Sequence, residues 1–404
     1  DGCLKPITGP LSWSGHDFES DKTYTYTFDA QDVEEIHTGL ARFLSLKLSR
    51  HEISSANFPL PRLGHRLSQA AESIHRGHGF VVFRGLDPYL HSTEENVIIY
   101  LGLASYVADR RGLQDKNGNV LSHITSSKLW DAPMEKRHGI HSNEALPFHT
   151  DMGCDILALQ VRQSATGGGC TFLSSASTVF NHLVRREPDT AATLLASDWP
   201  VQISDKKSHH YLGPVFAVHD GRLLVNMDPH RLGPPTTAAA ASNEHDDEDN
   251  DNDGNENQTQ DEDQDDIPPL TEPQRRALEK VSEIAEQTEV RLELRTGDFL
   301  FLNNWALLHR REAYKQDEES PCRHLVRLWL RNSKLGWSIP PLMLPPWRAA
   351  FEEGSGVERM YPLYPPDTYV VPKYTTGSAA FVIDDGDRAG VCSVSSPASV
   401  GRRW

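Results

Sequence analysis

Little in this sequence would place the chain in a membrane, on a nucleic acid or in a disulfide-braced fold. No stretch approaches the roughly 18 consecutive apolar residues that a spanning helix needs, so a membrane-embedded chain is excluded and a soluble one expected. Cysteine is sparse and odd in number: Cys3, Cys154, Cys170, Cys322 and Cys392 contain no C-x-x-C pair. That argues against a disulfide framework and a structural zinc site, and it favours a reducing, cytoplasmic setting. No G-x-G-x-x-G follows a strand and no G-x-x-x-x-G-K-[ST] occurs, so dinucleotide and P-loop nucleotide binding lack support. No internal repeat is evident, and the first residue is Asp rather than Met, which leaves a leader segment unread. Basic charge is also short. The net charge is −17, but 13 of the acidic residues fall between Glu244 and Asp266, where there is no Lys or Arg, and the rest of the chain carries only −4. So nearly neutral a remainder makes no field that would recruit nucleic acid.

The 404 residues allow two or three domains, or one large β domain with insertions. Residues 237–268 lose nearly all large apolar side chains in favour of Ala, Asn, Gln, Asp and Glu, and are expected to form a disordered acidic insertion. Upstream, Val33, Ile36, Leu40, Phe43 and Leu44 recur at helical spacing within Asp32 to Leu48. A second helix is expected from Leu63 to His75, leading into the apolar run Gly79 to Phe83. Downstream, Glu272 to Thr288 reads as a helix and Val290 to Leu294 as an alternating, half-buried strand. Thr296-Gly297-Asp298 turns the chain into a strand at Phe299 to Leu302, and His324 to Leu330 supplies another. From residue 337 to 404 prolines are frequent, and an irregular segment packed on the rest is expected. Short strands with helices gathered mainly at the start predict an α+β fold around a β jelly roll or barrel.

The most informative stretch is Leu146-Pro147-Phe148-His149-Thr150-Asp151. In an extended chain His149 and Asp151 point to one face, giving one imidazole and one carboxylate side by side. With a second histidine they would make the facial triad that holds non-haem Fe(II) and leaves three coordination positions open. H-x-D alone is common in surface turns. His309, at the end of the apolar run after Gly297-Asp298, is the candidate third ligand, although a lone histidine there is more often a core residue. Arg323 follows 14 residues later, and strand alternation puts Arg323, Leu325, Arg327 and Trp329 on one face. Two arginines in so apolar a strand need anionic partners, either structural carboxylates or those of ligands.

Together these marks resemble the taurine dioxygenase (TauD/TfdA-like) family of Fe(II)- and 2-oxoglutarate-dependent oxygenases, in its fungal branch. The resemblance runs from about Gly9 to Pro341 and rests on His149 and Asp151, the turn Gly167-Gly168-Gly169-Cys170-Thr171, the Gly297-Asp298 to His309 block, and Arg323 to Arg327. Gly9 to Trp13 and Arg84 to Pro88 fit the same branch. It implies a single oxygenase domain over residues 1–404, with a double-stranded β-helix core and flanking helices. His149, Asp151 and His309 would be the iron ligands, and Thr171 and Arg323 would hold the distal carboxylate of 2-oxoglutarate. Arg327 would grip the anionic group of the substrate. Cys170 stands where the family often carries an acidic residue. An aspartate at position 151 speaks against the halogenating variant. The cofactors implied are Fe(II), 2-oxoglutarate as co-substrate, and O2.

The reaction implied is oxidation of an unactivated C–H bond in a small anionic substrate, such as a free amino acid or related carboxylate, with formation of succinate and CO2. Hydroxylation, desaturation and aziridine-type ring closure all remain open, as does a sulfonate or aryloxy-acid substrate. A catalytically silent jelly-roll binding module and an iron dioxygenase that needs no 2-oxo acid are the competing readings. No nucleic-acid or membrane partner is expected, and a homodimer is one option for assembly. The long segment from Tyr106 to Glu144 is expected to cover the site as a lid.

Overall fold

The computed structural model describes residues 4–202, 210–234, 267–316, 319–352 and 356–371. The acidic stretch Glu244 to Asp266 lies outside the described residues, as do Cys3, Cys392 and the chain after position 371.

In chain order the first strands are β1 (Thr25–Thr27), β2 (Phe80–Arg84), β3 (Arg110–Arg111), β4 (Leu121–Thr125), β5 (Leu146–His149), β6 (Ile156–Gln163) and β7 (Thr171–Ser175). They are followed by β8 (Trp199–Gln202), β9 (His210–Gly213), β10 (Phe216–His219), β11 (Arg222–Val225), β12 (Val290–Leu292), β13 (Phe299–Asn303), β14 (Leu307–Arg311) and β15 (His324–Arg331). The helices are α1 (Ala30–Ser45), α2 (Leu63–Arg76), α3 (Thr93–Val107), α4 (Ala176–Arg186), α5 (Pro188–Leu195), α6 (Glu272–Thr288) and α7 (Leu344–Phe351).

Two sheets face each other. The larger runs β1-β2-β13-β6-β15-β3, with β4 also paired to β15, and the smaller runs β12-β7-β14-β5. Alternation decides which side chains meet between them. Leu300 and Leu302 of β13, Leu157 and Leu159 of β6, and Leu325 and Trp329 of β15 point inward and pack with Leu173 and Leu307 of the small sheet. Their neighbours Phe299, Phe301, Val326 and Leu328 point outward, against α1, α2 and α3. On the far side, Phe148, Phe172 and Leu308 of the small sheet pack under α4, α5 and α6. Both faces of both sheets are therefore apolar, and each wholly buried Leu or Phe contributes about 1.5–3 kcal/mol. The result is an α+β jelly-roll core with helices on either side.

Most expected elements are present within a few residues of their expected bounds. α1 starts at an Asp29–Asp32 capping box and buries Ile36, Leu40 and Phe43. α6 spans Glu272–Thr288 behind a Thr271–Gln274 capping box. β12 buries Val290 and Leu292 and exposes Arg291, but ends two residues earlier than expected. α3 has no counterpart among the expected elements. It is capped by Ser92 and Glu95 but buried almost all round, so it shows no polar stripe for periodicity to detect.

Two expectations change. The 106–144 segment is not all lid, because β4 within it pairs with β15 and belongs to the main sheet. The Pro-rich tail is not all irregular, because α7 forms and Trp337, Met343 and Phe351 enter the core. Its backbone also bonds inward, with Leu113 N donating to Ala350 O and Val120 N to Met360 O. Among the described residues no helix is long and apolar enough to cross a membrane, and Cys154, Cys170 and Cys322 are free thiols.

Candidate metal centre

The space between the sheets holds a small polar cluster whose members come from four strands and one turn. His149 closes β5 and His309 lies on β14 directly opposite it, with ring centroids 4.2 Å apart. Asp151 sits just past β5, heading a turn in which Cys154 N donates to Asp151 O at 3.0 Å. It therefore reaches the cluster from a turn rather than by strand alternation. The turn needs Gly153, which has φ +91°, and a Cβ there would stand 2.5 Å from Pro346 O. Asn304 pins the same turn. Its Oδ1 accepts from Asp151 N at 2.9 Å, and its Nδ2 donates to Asp151 O at 2.7 Å and Cys154 O at 2.8 Å.

The three side chains present donor atoms to one point. Asp151 Oδ1 lies 3.8 Å from His149 Nε2 and 3.6 Å from His309 Nε2. His149 Nδ1 donates to Pro147 O at 2.8 Å, which leaves the Nε2 lone pair facing inward. Asp151 Oδ2 is already occupied by Trp329 Nε1 at 2.8 Å and Arg327 Nη1 at 2.9 Å. Asp151 Oδ1 is buried and has no hydrogen-bond partner among the described residues. A charged, buried oxygen left bare beside an imidazole lone pair is costly, and a divalent cation relieves it. The three ligand atoms lie within 4.8 Å of one another, close enough for one ion to be held by all three. One carboxylate and two imidazoles suit Fe(II), and the residues present fit that ion.

Electrostatics favour the same forms. Burial alone would raise the Asp151 pKa, but the Arg327 guanidinium, then the His309 imidazole, holds it below the usual carboxylate range. Burial, followed by the neighbouring His309, pushes the His149 pKa down to about 4, keeping the ring neutral and able to ligate.

The cavity beside this cluster is lined by Thr171, Arg323 and Arg327 together with the apolar Ile124, Leu157 and Leu325. The residues singled out from sequence are thus brought together in one place. Thr171 opens β7 after the Gly-rich turn. There Gly169 has φ +73°, and a Cβ on it would stand 3.1 Å from Arg323 Nε and 3.2 Å from Tyr314 Cβ, so a side chain would crowd both. Arg323 is buried, and its Nη2 donates to Gly169 O at 3.3 Å. Burial, with the nearby Arg311 charge, lowers its pKa to about 10. Arg327 differs from the sequence expectation in having protein partners already: Nε donates to Gln114 Oε1 at 2.7 Å, besides the Asp151 contact.

Sequence reading missed Gln114, Asn304, Arg311 and the donor role of Trp329. Trp329 shared a face with the arginines by alternation, but nothing local in the sequence announced the others.

Comparison with known proteins agrees with this geometry. The sequence model of the family described as "Taurine catabolism dioxygenase TauD, TfdA family" matches residues 45–329. The chain is similar to a taurine hydroxylase-like protein, SAT17, of Stachybotrys chartarum, 32% identical over 349 residues that cover 83% of this chain and 82% of that protein. It is similar to FR-33289 synthase of Streptomyces rubellomurinus, 24% identical, covering 83% of this chain and 93% of that one. In fold it resembles an asparagine oxygenase solved with Fe(II), 3-hydroxyasparagine and succinate. The TM-score is 0.56 at 16% identity, covering 76% of this chain and 93% of that chain.

Proposed function

The chain belongs to the TauD, TfdA family and is an iron(II)- and 2-oxoglutarate-dependent dioxygenase that uses O2, and from that premise we propose that it oxidises an unactivated C–H bond of a small anionic substrate, a free amino acid or related carboxylate. The observation that carries this reading is the bare Asp151 Oδ1 facing His149 and His309 in a cavity that also holds Thr171, Arg323 and Arg327. His149, Asp151 and His309 hold the iron in this reading. Thr171 and Arg323 take the distal carboxylate of 2-oxoglutarate, the guanidinium supplying charge and the hydroxyl a further hydrogen bond. Iron and 2-oxoglutarate, when bound, would supply the oxidising chemistry, with O2 as the oxidant that takes 2-oxoglutarate to succinate and CO2 and draws hydrogen from the substrate.

The chain's own side chains do placement. Trp329 and Arg327 fix the Asp151 carboxylate through its outer oxygen, so that its inner oxygen stays aimed at the two imidazoles. Ile124, Leu157, Leu159 and Leu325 keep the site dry and hold an aliphatic group in place. The cavity measures ≈ 50 Å³, against about 300–1,000 Å³ for common ligand pockets, which supports a small substrate and movement of the segment around Ile140 on entry. That the similar asparagine oxygenase was solved with a hydroxylated amino acid supports the amino-acid class. How the substrate is held after hydrogen removal decides among hydroxylation, desaturation and ring closure.

Arg327 is the substrate anchor in this reading, and its existing contacts mean that the substrate anion shares the guanidinium with Asp151 and Gln114. Arg327→Lys keeps the charge and loses the fork, so the substrate KM rises while substrate-free decarboxylation of 2-oxoglutarate persists. The direct test is succinate formation from 2-oxoglutarate and Fe(II), stimulated by members of a panel of amino acids, sulfonates and aryloxy acids. Stimulation by amino acids supports the reading, stimulation confined to sulfonates or aryloxy acids replaces the substrate class, and no turnover with any acid favours the silent module.

A further inference from the structure

Arg311 is a third buried guanidinium in the same cavity, besides Arg323 and Arg327. It lies two residues beyond His309 on β14, on the same inward face, and pairs directly across the strands with Thr171 of β7. Residues so opposed have Cβ atoms about 4.5–5.5 Å apart. Arg311 is 5% exposed and lines the cavity together with Thr171, Arg323 and the metal cluster. Its Nη2 donates to Ser142 O at 3.1 Å, Gly139 O at 3.4 Å and Glu144 O, all in the segment that leads into β5. Its Nε and Nη1 are buried without a hydrogen-bond partner among the described residues. Arg323 approaches from the residue just before β15, and the two guanidinium carbons lie 5.2 Å and 5.5 Å from the Tyr314 ring centroid. Neither arginine has a carboxylate partner within 4 Å among the described residues. Arg310, the other arginine of β14 at this cavity, is paired with Glu289 at 2.6 Å.

Two adjacent guanidiniums with donors left over, enclosed in one cavity and unmatched by acid, call for an anion with several acceptor oxygens. Thr171 stands directly across the strands from Arg311 and lines the same cavity as Arg323. We propose that Arg311 is a third binding residue for the distal carboxylate of 2-oxoglutarate, acting beside Thr171 and Arg323, with its Nε and Nη1 donating to that carboxylate. The same side chain ties the carboxylate to residues 139–144 through Nη2, so co-substrate binding also braces the segment that carries the chain into His149. The inference rests on the assignment of Thr171 and Arg323 made above, and the test separates the two.

The experiment reads binding rather than turnover. Anaerobic protein loaded with Fe(II) is titrated with 2-oxoglutarate and with 2-oxopentanoate, which keeps the 2-oxo acid chelate but replaces the distal carboxylate by a methyl group. Binding is followed by the charge-transfer absorption of the chelate, for the parent, Arg311→Gln, Arg311→Lys and Arg323→Ala. The expected result for Arg311→Gln is 2-oxoglutarate binding about 10–100-fold weaker, as for lost hydrogen bonds to a charged group, with 2-oxopentanoate nearly unchanged. Arg311→Lys should recover part of the loss. Because the readout is the ratio of two ligands on one preparation, partial unfolding of a variant cancels. If both ligands weaken equally, Arg311 only holds the 139–144 segment, and the proposal fails. If neither weakens, Arg311 does not meet the co-substrate and the proposal fails again. If Arg323→Ala abolishes the preference for 2-oxoglutarate while Arg311→Gln leaves it intact, the Arg323 assignment stands and this inference alone is wrong. If Arg311→Gln reduces it and Arg323→Ala does not, the inference stands and Arg323 is misassigned.

Discussion

Replacing Trp329 by Phe tests whether Asp151 is held for a metal through its outer oxygen. The indole is fully buried, and its Nε1 donates to Asp151 Oδ2 at 2.8 Å. Arg327 Nη1 reaches the same oxygen at 2.9 Å. Phenylalanine keeps most of the apolar body, removes this donor and leaves a small void. The two effects fall on different measurements. The void weakens packing in metal-free and metal-bound protein alike, by about 1–3 kcal/mol of unfolding free energy. The lost hydrogen bond to a charged acceptor is worth about 1.5–3 kcal/mol. To the extent that it frees the carboxylate to rotate away from the imidazoles, it shows up as weaker metal binding, about 10–100-fold. The assay is calorimetric titration of Fe(II) under anaerobic conditions, with Co(II) as a redox-stable check, alongside urea unfolding of the metal-free protein. A dissociation constant within about twofold of the parent, with unfolding alone affected, would show that Trp329 serves packing only and refute the argument from geometry.

His309→Ala should abolish iron retention and turnover, and full metal occupancy in the purified variant, measured by elemental analysis, would show the triad to be misassigned. Asn304→Leu strips partners from Asp151 N, Asp151 O and Cys154 O at once, so unfolding free energy should fall by about 3–5 kcal/mol and metal binding with it; an unchanged urea midpoint would count against the pinned turn. Acid should destabilise the fold before the carboxylates titrate. Burial pushes the His123 pKa down to about 4 and the His141 pKa to about 3, so between pH 6.5 and 4 the unfolded chain binds protons that the folded chain refuses. Stability therefore falls as pH falls through that window, by up to about 2 kcal/mol per histidine at pH 5, and is unaffected by these groups above pH 7. A urea midpoint that stays flat from pH 7 to pH 5 would contradict this.

Local pattern in the sequence determined a good deal of this protein. The helical periodicity of α1, α2 and α6, the alternation in β12 and β15, and the apolar runs of β2 and β13 are properties of neighbouring residues, and all are present in the fold. The H-x-D spacing and the shared face of Leu325, Arg327 and Trp329 in β15 with Arg323 just before it are local in the same sense, and those residues do converge. Helix α3 escaped because burial on every side erases the polar stripe on which periodicity depends. β4 escaped because its place in the sheet is set by pairing with β15, about two hundred positions away. The tertiary structure alone decided which atoms meet. It placed His309 opposite His149, gave the outer oxygen of Asp151 to Trp329 and Arg327, and left the inner one bare. It also set Arg311 across from Thr171, a pairing that follows from the register of β14 on β7. Register is fixed by how whole sheets bury their faces, and no single segment carries that information.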